Sequence, residues 1–125
     1  MILLDTSVLL ETFRVKDKTK TLFFRLSEKD NNFSISTITY YEILVGSNNT
    51  QTNYWNNFLR FITIIPFDTD CAIKAVDIYK DLKRQNKLIE LSDLTIAATA
   101  LAKGLPIATN NTKHFGRIEH LEIVK

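Results

Sequence analysis

Three acidic residues stand alone in otherwise uncharged stretches of this chain. Asp5 is the only charged residue among the first ten residues. Glu42 is the only one in residues 31–59, and Asp93 is the only one in residues 91–102. Their neighbours are apolar, small or neutral polar, which is typical of buried segments. A buried carboxylate is costly unless it is paired or bound to a metal, so these residues are the first candidates for chemistry.

The spacing around each acid indicates where its side chain lies. Asp5 follows the first apolar run, at the expected carboxyl end of a strand, and open α/β sheets bind ligands at that edge. Glu42 lies on the same predicted helical stripe as Ile38 and Val45. Asp93 is the first residue of a helical stripe that we expect to face the interior, and several residues of that stripe are alanines, which permit close packing. We therefore expect all three side chains to face the interior.

A shared pocket of carboxylates predicts a divalent cation. Clustered carboxylates repel each other, and a hard divalent ion relieves that repulsion. A ligand set made only of oxygen favours Mg²⁺ or Mn²⁺ over zinc. Each acid also has a purely structural explanation: Asp5 as a helix N-cap, Asp93 as a first-turn acid favoured by the helix dipole, and Glu42 as the partner of a buried Arg or Lys.

The elements that position these acids follow an alternating pattern. Strands are predicted at residues 2–4, 33–36, 61–65, 107–108 and 121–124. Helices are predicted at residues 8–14, around Leu22–Leu26, at 37–45, within 47–59, from the Asp68 cap to about residue 82, and at 93–103 with Ser92 as the cap. Strands that alternate with helices predict an α/β sandwich with a central, mostly parallel sheet.

Composition sets limits on the class of protein. The 125 residues suit one domain, 1–125, and carry 16 Lys and Arg against 14 Asp and Glu, a formal charge of +2. That mild excess does not indicate binding to nucleic acid through bulk charge. The single cysteine, Cys71, excludes an intrachain disulfide and fits a cytoplasmic protein. We expect no membrane span and no signal peptide.

Four segments of this chain form an ordered set of motifs: 3–10 (LLDTSVLL), 36–46 (STITYYEILVG), 92–100 (SDLTIAATA) and 108–115 (ATNNTKHF). In this order they resemble the motifs of PIN-domain nucleases, and the last one strongly resembles that of the VapC-type toxins of bacterial toxin–antitoxin pairs. The resemblance covers essentially the whole chain.

The resemblance implies a PIN-like three-layer sandwich and metal-dependent endonucleolytic cleavage of RNA, by in-line attack of a metal-activated water. It also implies a homodimer and a cognate antitoxin that blocks the site. Transferred to this sequence, the catalytic and metal-binding acids are Asp5, Glu42 and Asp93. Supporting polar positions are Ser7, Thr39, Thr109 and Asn111. Many relatives have a fourth acid where Asn111 stands, so we expect one well-held ion.

The remaining polar candidates surround this centre. Lys113 and Arg117 follow the closing motif and are possible RNA contacts. His114 and His120 are expected to be exposed to solvent. Two basic clusters, residues 14–20 and 80–87, are either phosphate contacts or solvated faces. The aromatic residues Tyr40, Tyr41, Tyr54, Trp55 and Phe58 are expected in the core or at an interface.

Two other interpretations of the residues stay open. A phosphatase of the haloacid-dehalogenase type also has an Asp after its first strand, but it needs a second Asp two residues later, where this chain has Ser7. A non-catalytic module that binds RNA or protein would keep the acids for folding. Metal binding and RNA cleavage separate that module from a nuclease.

Overall fold

The computed structural model describes residues 1–124 as five strands and seven α-helices. In chain order they are β1 (Ile2–Leu4), α1 (Thr6–Arg14), α2 (Leu22–Ser27), β2 (Phe33–Ser36), α3 (Thr37–Val45), α4 (Asn49–Phe58), β3 (Thr63–Ile65), α5 (Thr69–Arg84), α6 (Leu91–Lys103), β4 (Ile107–Ala108), α7 (Thr112–Phe115) and β5 (Ile123–Val124). Short 3₁₀ segments cover Lys18–Lys20 and Leu59–Phe61.

The sheet has the order β3-β2-β1-β4-β5, and all neighbouring strands are parallel. Because every strand runs in the same direction, the carboxyl ends of β1 and β4 lie at one edge, where a ligand site is expected. Helices cover both faces. The predicted three-layer α/β sandwich with a parallel sheet is therefore confirmed.

The two faces of the sheet bury separate apolar clusters, because successive strand residues point to opposite sides. Ile2 and Leu4 pack with side chains of α1, α2 and α4. Leu3 and Ile107 pack with side chains of α5, α6 and α7. Central β1 is thus buried on both faces, which explains its uninterrupted apolar sequence.

Several aromatic residues pack together in the first cluster. Trp55 is 2% exposed, and its ring lies 5.5 Å from that of Phe13 and 5.9 Å from that of Phe58. The predicted core role of Tyr54 is also confirmed, because it packs against the same cluster. Tyr41 differs, since 67% of it is exposed.

Several element boundaries differ from the sequence prediction. Helix α1 begins at Thr6 rather than at residue 8, because Asp5 itself is its N-cap. Helix α6 begins at Leu91 after Glu90, so the predicted cap role of Ser92 is wrong. Strand β3 begins at Thr63 rather than at residue 61, because Phe61 belongs to the 3₁₀ turn Leu59–Phe61. Strand β5 covers only Ile123–Val124.

Candidate active site

Asp5 is the most enclosed of the three acids, with 2% of its surface exposed. Its Oδ1 accepts a hydrogen bond from the Ser7 hydroxyl at 2.6 Å and one from the Val8 backbone N–H at 3.3 Å. Its Oδ2 accepts from the Thr109 hydroxyl at 2.8 Å. The N-cap explanation of Asp5 is therefore confirmed, yet it accounts for only one of these three bonds.

Burial raises the pKa of Asp5 above its ordinary value of 3.8. The hydrogen bonds from Ser7, Thr109 and Val8 act in the opposite direction because they stabilise the charged carboxylate. The negative charge of Asp93 adds to the increase in the pKa. Asp5 and Asp93 thus share one electrostatic environment, in which a positive ion would favour the charged forms.

Glu42 is linked to the Asp5 region by Thr6, the residue that follows Asp5 in the chain. The Thr6 hydroxyl lies 2.7 Å from Glu42 Oε1 and 3.1 Å from the buried Thr39 hydroxyl. Glu42 is half-buried, but Val45 is 67% exposed, so the predicted stripe through Val45 does not face the interior. Thr6 was not among the predicted site residues; its only signal was its place beside Asp5.

Asp93 lies in the first turn of α6 with its side chain 20% exposed. Its Oδ2 is 3.4 Å from the side-chain nitrogen of Asn111, Nδ2, and 3.3 Å from His114 Nδ1. The Asn111 amide nitrogen is also 2.9 Å from His114 Nδ1. The expectation that His114 is simply exposed to solvent is wrong, because the turn of α7 places its ring, 36% exposed, against Asp93. His120 is exposed, as expected.

The loop after β4 connects two of the acids by hydrogen bonds. The Asn111 backbone N–H donates to the Thr109 hydroxyl oxygen at 2.8 Å, and that hydroxyl donates to Asp5. The Asn111 side chain reaches Asp93. The backbone N–H of Asn110 donates to Ser7 Oγ at 3.0 Å. The first and last motifs of the sequence are therefore held together directly.

Neither Lys nor Arg forms an ion pair with Asp5, Glu42 or Asp93 within residues 1–124, and the basic side chain that contacts one of these acids is His114, against Asp93. The explanation of Glu42 by a buried Arg or Lys is thus not supported. In the same part of the chain, no three His, Cys, Asp or Glu side chains already stand close enough to ligate one ion together. The expected three-carboxylate cage is therefore not preformed, and Asp5 and Glu42 each accept hydrogen bonds from hydroxyl groups.

Some predicted RNA contacts have other partners. Arg117 Nη1 lies 3.3 and 3.2 Å from the backbone carbonyl oxygens of Lys87 and Leu88, so this residue holds the loop before α6. In the first basic cluster, Lys18 Nζ caps α1 by contacts to the carbonyl oxygens of Thr12 and Phe13. Lys113 is exposed beside the site.

Comparison with known proteins identifies the class of protein to which this chain belongs. The PIN domain family model matches residues 2–121, so the chain belongs to the PIN-domain family. Ribonuclease VapC1 of Methanocaldococcus jannaschii is 37% identical over 94% of this chain and 81% of its own length. The tRNA(fMet)-specific endonuclease VapC of Shigella flexneri is 29% identical over 93% of this chain and 90% of its own length.

Solved structures give the same assignment. A crystal structure of VapBC2 from Rickettsia felis, bound to a DNA fragment from its promoter, contains a chain similar to this one with a TM-score of 0.87 and 27% identity. The match covers 99% of this chain and 98% of that one. This chain is thus similar to VapC ribonucleases. Within residues 1–124, every helix is too short or too polar to traverse a bilayer.

Proposed function

We propose that this chain is a metal-dependent endoribonuclease, the toxin of a toxin–antitoxin pair, with Asp5, Glu42 and Asp93 holding a Mg²⁺ or Mn²⁺ ion. The observation that carries the proposal is the buried Asp5 carboxylate, which hydroxyl groups orient and no cation neutralises among residues 1–124. The relatives named ribonuclease or endonuclease VapC supply the substrate class.

The side chains present fit such an ion in their chemistry. Carboxylate oxygens are the donors that Mg²⁺ and Mn²⁺ prefer, and a bound ion supplies a Lewis acid for phosphodiester hydrolysis. Asp5 is fixed by its hydroxyl partners, whereas Asp93 has only contacts of 3.3 and 3.4 Å. Ligation by all three acids requires their side chains to draw together, since no three of them already stand close enough for one ion among residues 1–124. Thr6 donates to Oε1 of Glu42, so Oε2 is the oxygen available to an ion.

The residues around the proposed ion would hold the Asp5 carboxylate in position and accept the proton of the attacking water. A carboxylate oxygen of the trio that is not occupied as a ligand can accept the proton of the attacking water. Thr109 and Ser7 hold Asp5 in one rotamer. Asn111 contributes a neutral amide where an acid would add another negative charge, so we propose one ion rather than two.

Purified protein incubated with labelled RNA tests this function. Cleavage is expected with Mn²⁺ and not with EDTA, and the products should carry 5′-phosphate and 3′-hydroxyl ends. Mapping of the cut positions would identify the preferred RNA. Intact RNA under both conditions, together with no measurable Mn²⁺ binding, would support the alternative of a non-catalytic binding module with the same fold.

We propose that His114 is a positioning residue that keeps Asn111 and Asp93 in place. His114→Ala is expected to weaken Mn²⁺ binding roughly 10- to 100-fold, the usual cost of losing a group that orients a metal ligand. His114→Asn should retain most of the affinity, because its amide can occupy the position of Nδ1. Calorimetric titration with Mn²⁺ measures both variants, and wild-type affinity in the alanine variant would contradict this role.

A cleft of about 250 Å³ between α1, α3 and α4 supports the proposed antitoxin contact. Glu42 lies at this cleft with the apolar side chains of Leu10, Phe13 and Trp55. An amphipathic helix of the antitoxin could cover the apolar part and direct an Arg toward the acids. The structure from Rickettsia felis that contains a similar chain is one of VapBC2.

Leu10→Glu is expected to prevent co-purification with the antitoxin while RNA cleavage continues, because a charge would be buried in the interface. Phe61→Glu is the matched control, since Phe61 is 88% exposed and does not line this cleft. Pull-down with a tagged antitoxin from the adjacent gene measures the effect. Equal recovery of both variants would argue against this docking surface.

The homodimer, the cytoplasmic location and the single domain 1–125 are also part of the proposal. The exposed apolar side chains of Ile73, Val76 and Tyr79 on α5 offer a surface suited to a second copy of the chain. Both apolar clusters share one sheet within residues 1–124, which supports a single domain.

A further inference from the structure

A separate cleft of about 310 Å³ opens at the carboxyl end of the sheet, beside β4 and β5. Its apolar part consists of buried Leu22 and half-buried Val124. The other lining residues are polar: Arg25, Thr109, Asn110 and Thr112. None of the three acids lines this cleft.

The cleft shares residues with the hydrogen-bond network of the acids. Thr109 lines the cleft, and its hydroxyl donates to Asp5 Oδ2 at 2.8 Å. Asn110 also lines it, and its backbone N–H donates to Ser7 Oγ. A ligand in this cleft therefore contacts a residue that directly contacts Asp5. That proximity suits the part of a substrate next to the reacting phosphate.

The charge of the cleft fits a nucleic acid. Arg25 is the one charged side chain among its lining residues within 1–124, and it is exposed. The guanidinium makes a 3.4 Å contact from Nη1 to the Lys20 carbonyl oxygen, which engages one of its five N–H groups. By contrast, the cleft along α5 has Asp77, Asp81 and Glu119 against Lys74 and His120, and the one between α1, α3 and α4 has Glu42 beside Arg14.

We propose that this cleft binds the nucleotide next to the scissile phosphate of a single-stranded RNA, with Arg25 on a phosphate. Half-buried Val124, together with the small exposed part of Leu22, contacts the base. The side-chain amide of Asn110 and the hydroxyl group of Thr112 offer hydrogen bonds to the ribose or to the edge of the base. This inference rests on the proposed function for its substrate class, and it adds the position and the residues that hold the substrate.

The test compares Arg25→Gln with Arg60→Gln, since both remove an exposed arginine and Arg60 does not line the cleft. Binding of a fluorescein-labelled short single-stranded RNA is measured by anisotropy in EDTA over a range of salt concentrations. Arg25→Gln should weaken binding about tenfold and reduce the slope of log K against log salt by about 0.7, the value for one contact to a single strand. Arg60→Gln should change neither quantity.

Wild-type affinity and slope in Arg25→Gln would overturn the proposal, and so would equal losses in both variants, which indicate general charge attraction. If Arg25→Gln no longer recovers the antitoxin in a pull-down but still binds RNA, the cleft is a docking site for protein, and the proposal is also overturned. Cleavage by the wild-type protein with Mn²⁺ is assayed in parallel. If the wild type does not cleave RNA but Arg25-dependent binding persists, the nuclease proposal fails and the RNA site stands.

Discussion

Asp93→Asn should reduce RNA cleavage more than about 100-fold without unfolding the protein. Substitution of groups that merely orient metal ligands costs roughly 10- to 100-fold, and loss of a charged ligand should cost more. The fold should tolerate the change for two reasons. The amide oxygen of the new side chain can still accept the Asn111 hydrogen bond. Loss of the charge also removes a repulsion that adds to the effect of burial on the pKa of Asp5. Initial cleavage rates and thermal melting curves measure the two effects.

Asp70→Asn is the matched control for this variant. Asp70 also lies in the first turn of a helix, α5, but it is exposed and does not contact the site. The control loses the same charge and the same favourable interaction with a helix dipole, which is worth about 0.3–1 kcal/mol. It should cleave RNA at the wild-type rate. Similar cleavage by both variants would remove Asp93 from the proposed catalytic set.

Addition of Mn²⁺ should raise the melting temperature by several degrees, and this increase should depend on pH. A ligand that binds only the folded state, at 100 times its dissociation constant, stabilises by about 2.7 kcal/mol. For a domain of this size that corresponds to roughly 10 °C. Binding requires the charged form of Asp5, whose pKa is raised by burial above 3.8.

The sign of the pH effect follows from that raised pKa. Without added metal, the folded state keeps the Asp5 proton at a pH where the unfolded chain has lost it. The contribution of Asp5 to stability is therefore largest below pH 3.8 and is lost as the pH rises through the raised value. The increase caused by Mn²⁺ should be absent below pH 3.8 and grow toward neutral pH. An equal increase in Asp5→Asn would show that the ion binds elsewhere.

The order of strands and helices could be predicted because each apolar run has a clear period and a clear stop. The prediction failed where an element is too short to show a period. Helix α7 has four residues, Thr112–Phe115, and only this turn brings His114 back to Asp93. The sequence offers no pattern that relates these two residues, which are 21 positions apart.

The sequence indicated the candidate acids better than the groups that hold them. Isolated charges in apolar segments selected Asp5, Glu42 and Asp93 as candidates, and each has polar partners in the structure. Long basic side chains were the hardest to place. Lys18 and Arg117 bond to backbone carbonyl oxygens that no composition or spacing indicates. Carbonyl groups occur at every residue, so the choice among them is made by the tertiary structure.

The junction between β1 and α1 should not tolerate the insertion or deletion of a residue. Asp5, Thr6 and Ser7 are consecutive, and they bond to Thr109, Glu42 and the backbone of Asn110, respectively. Insertion or deletion of one residue there would rotate the start of the helix by about 100° and separate all three pairs. Homologous chains of different length should therefore differ elsewhere, as in the exposed polar turn before α4, while this tripeptide keeps its register.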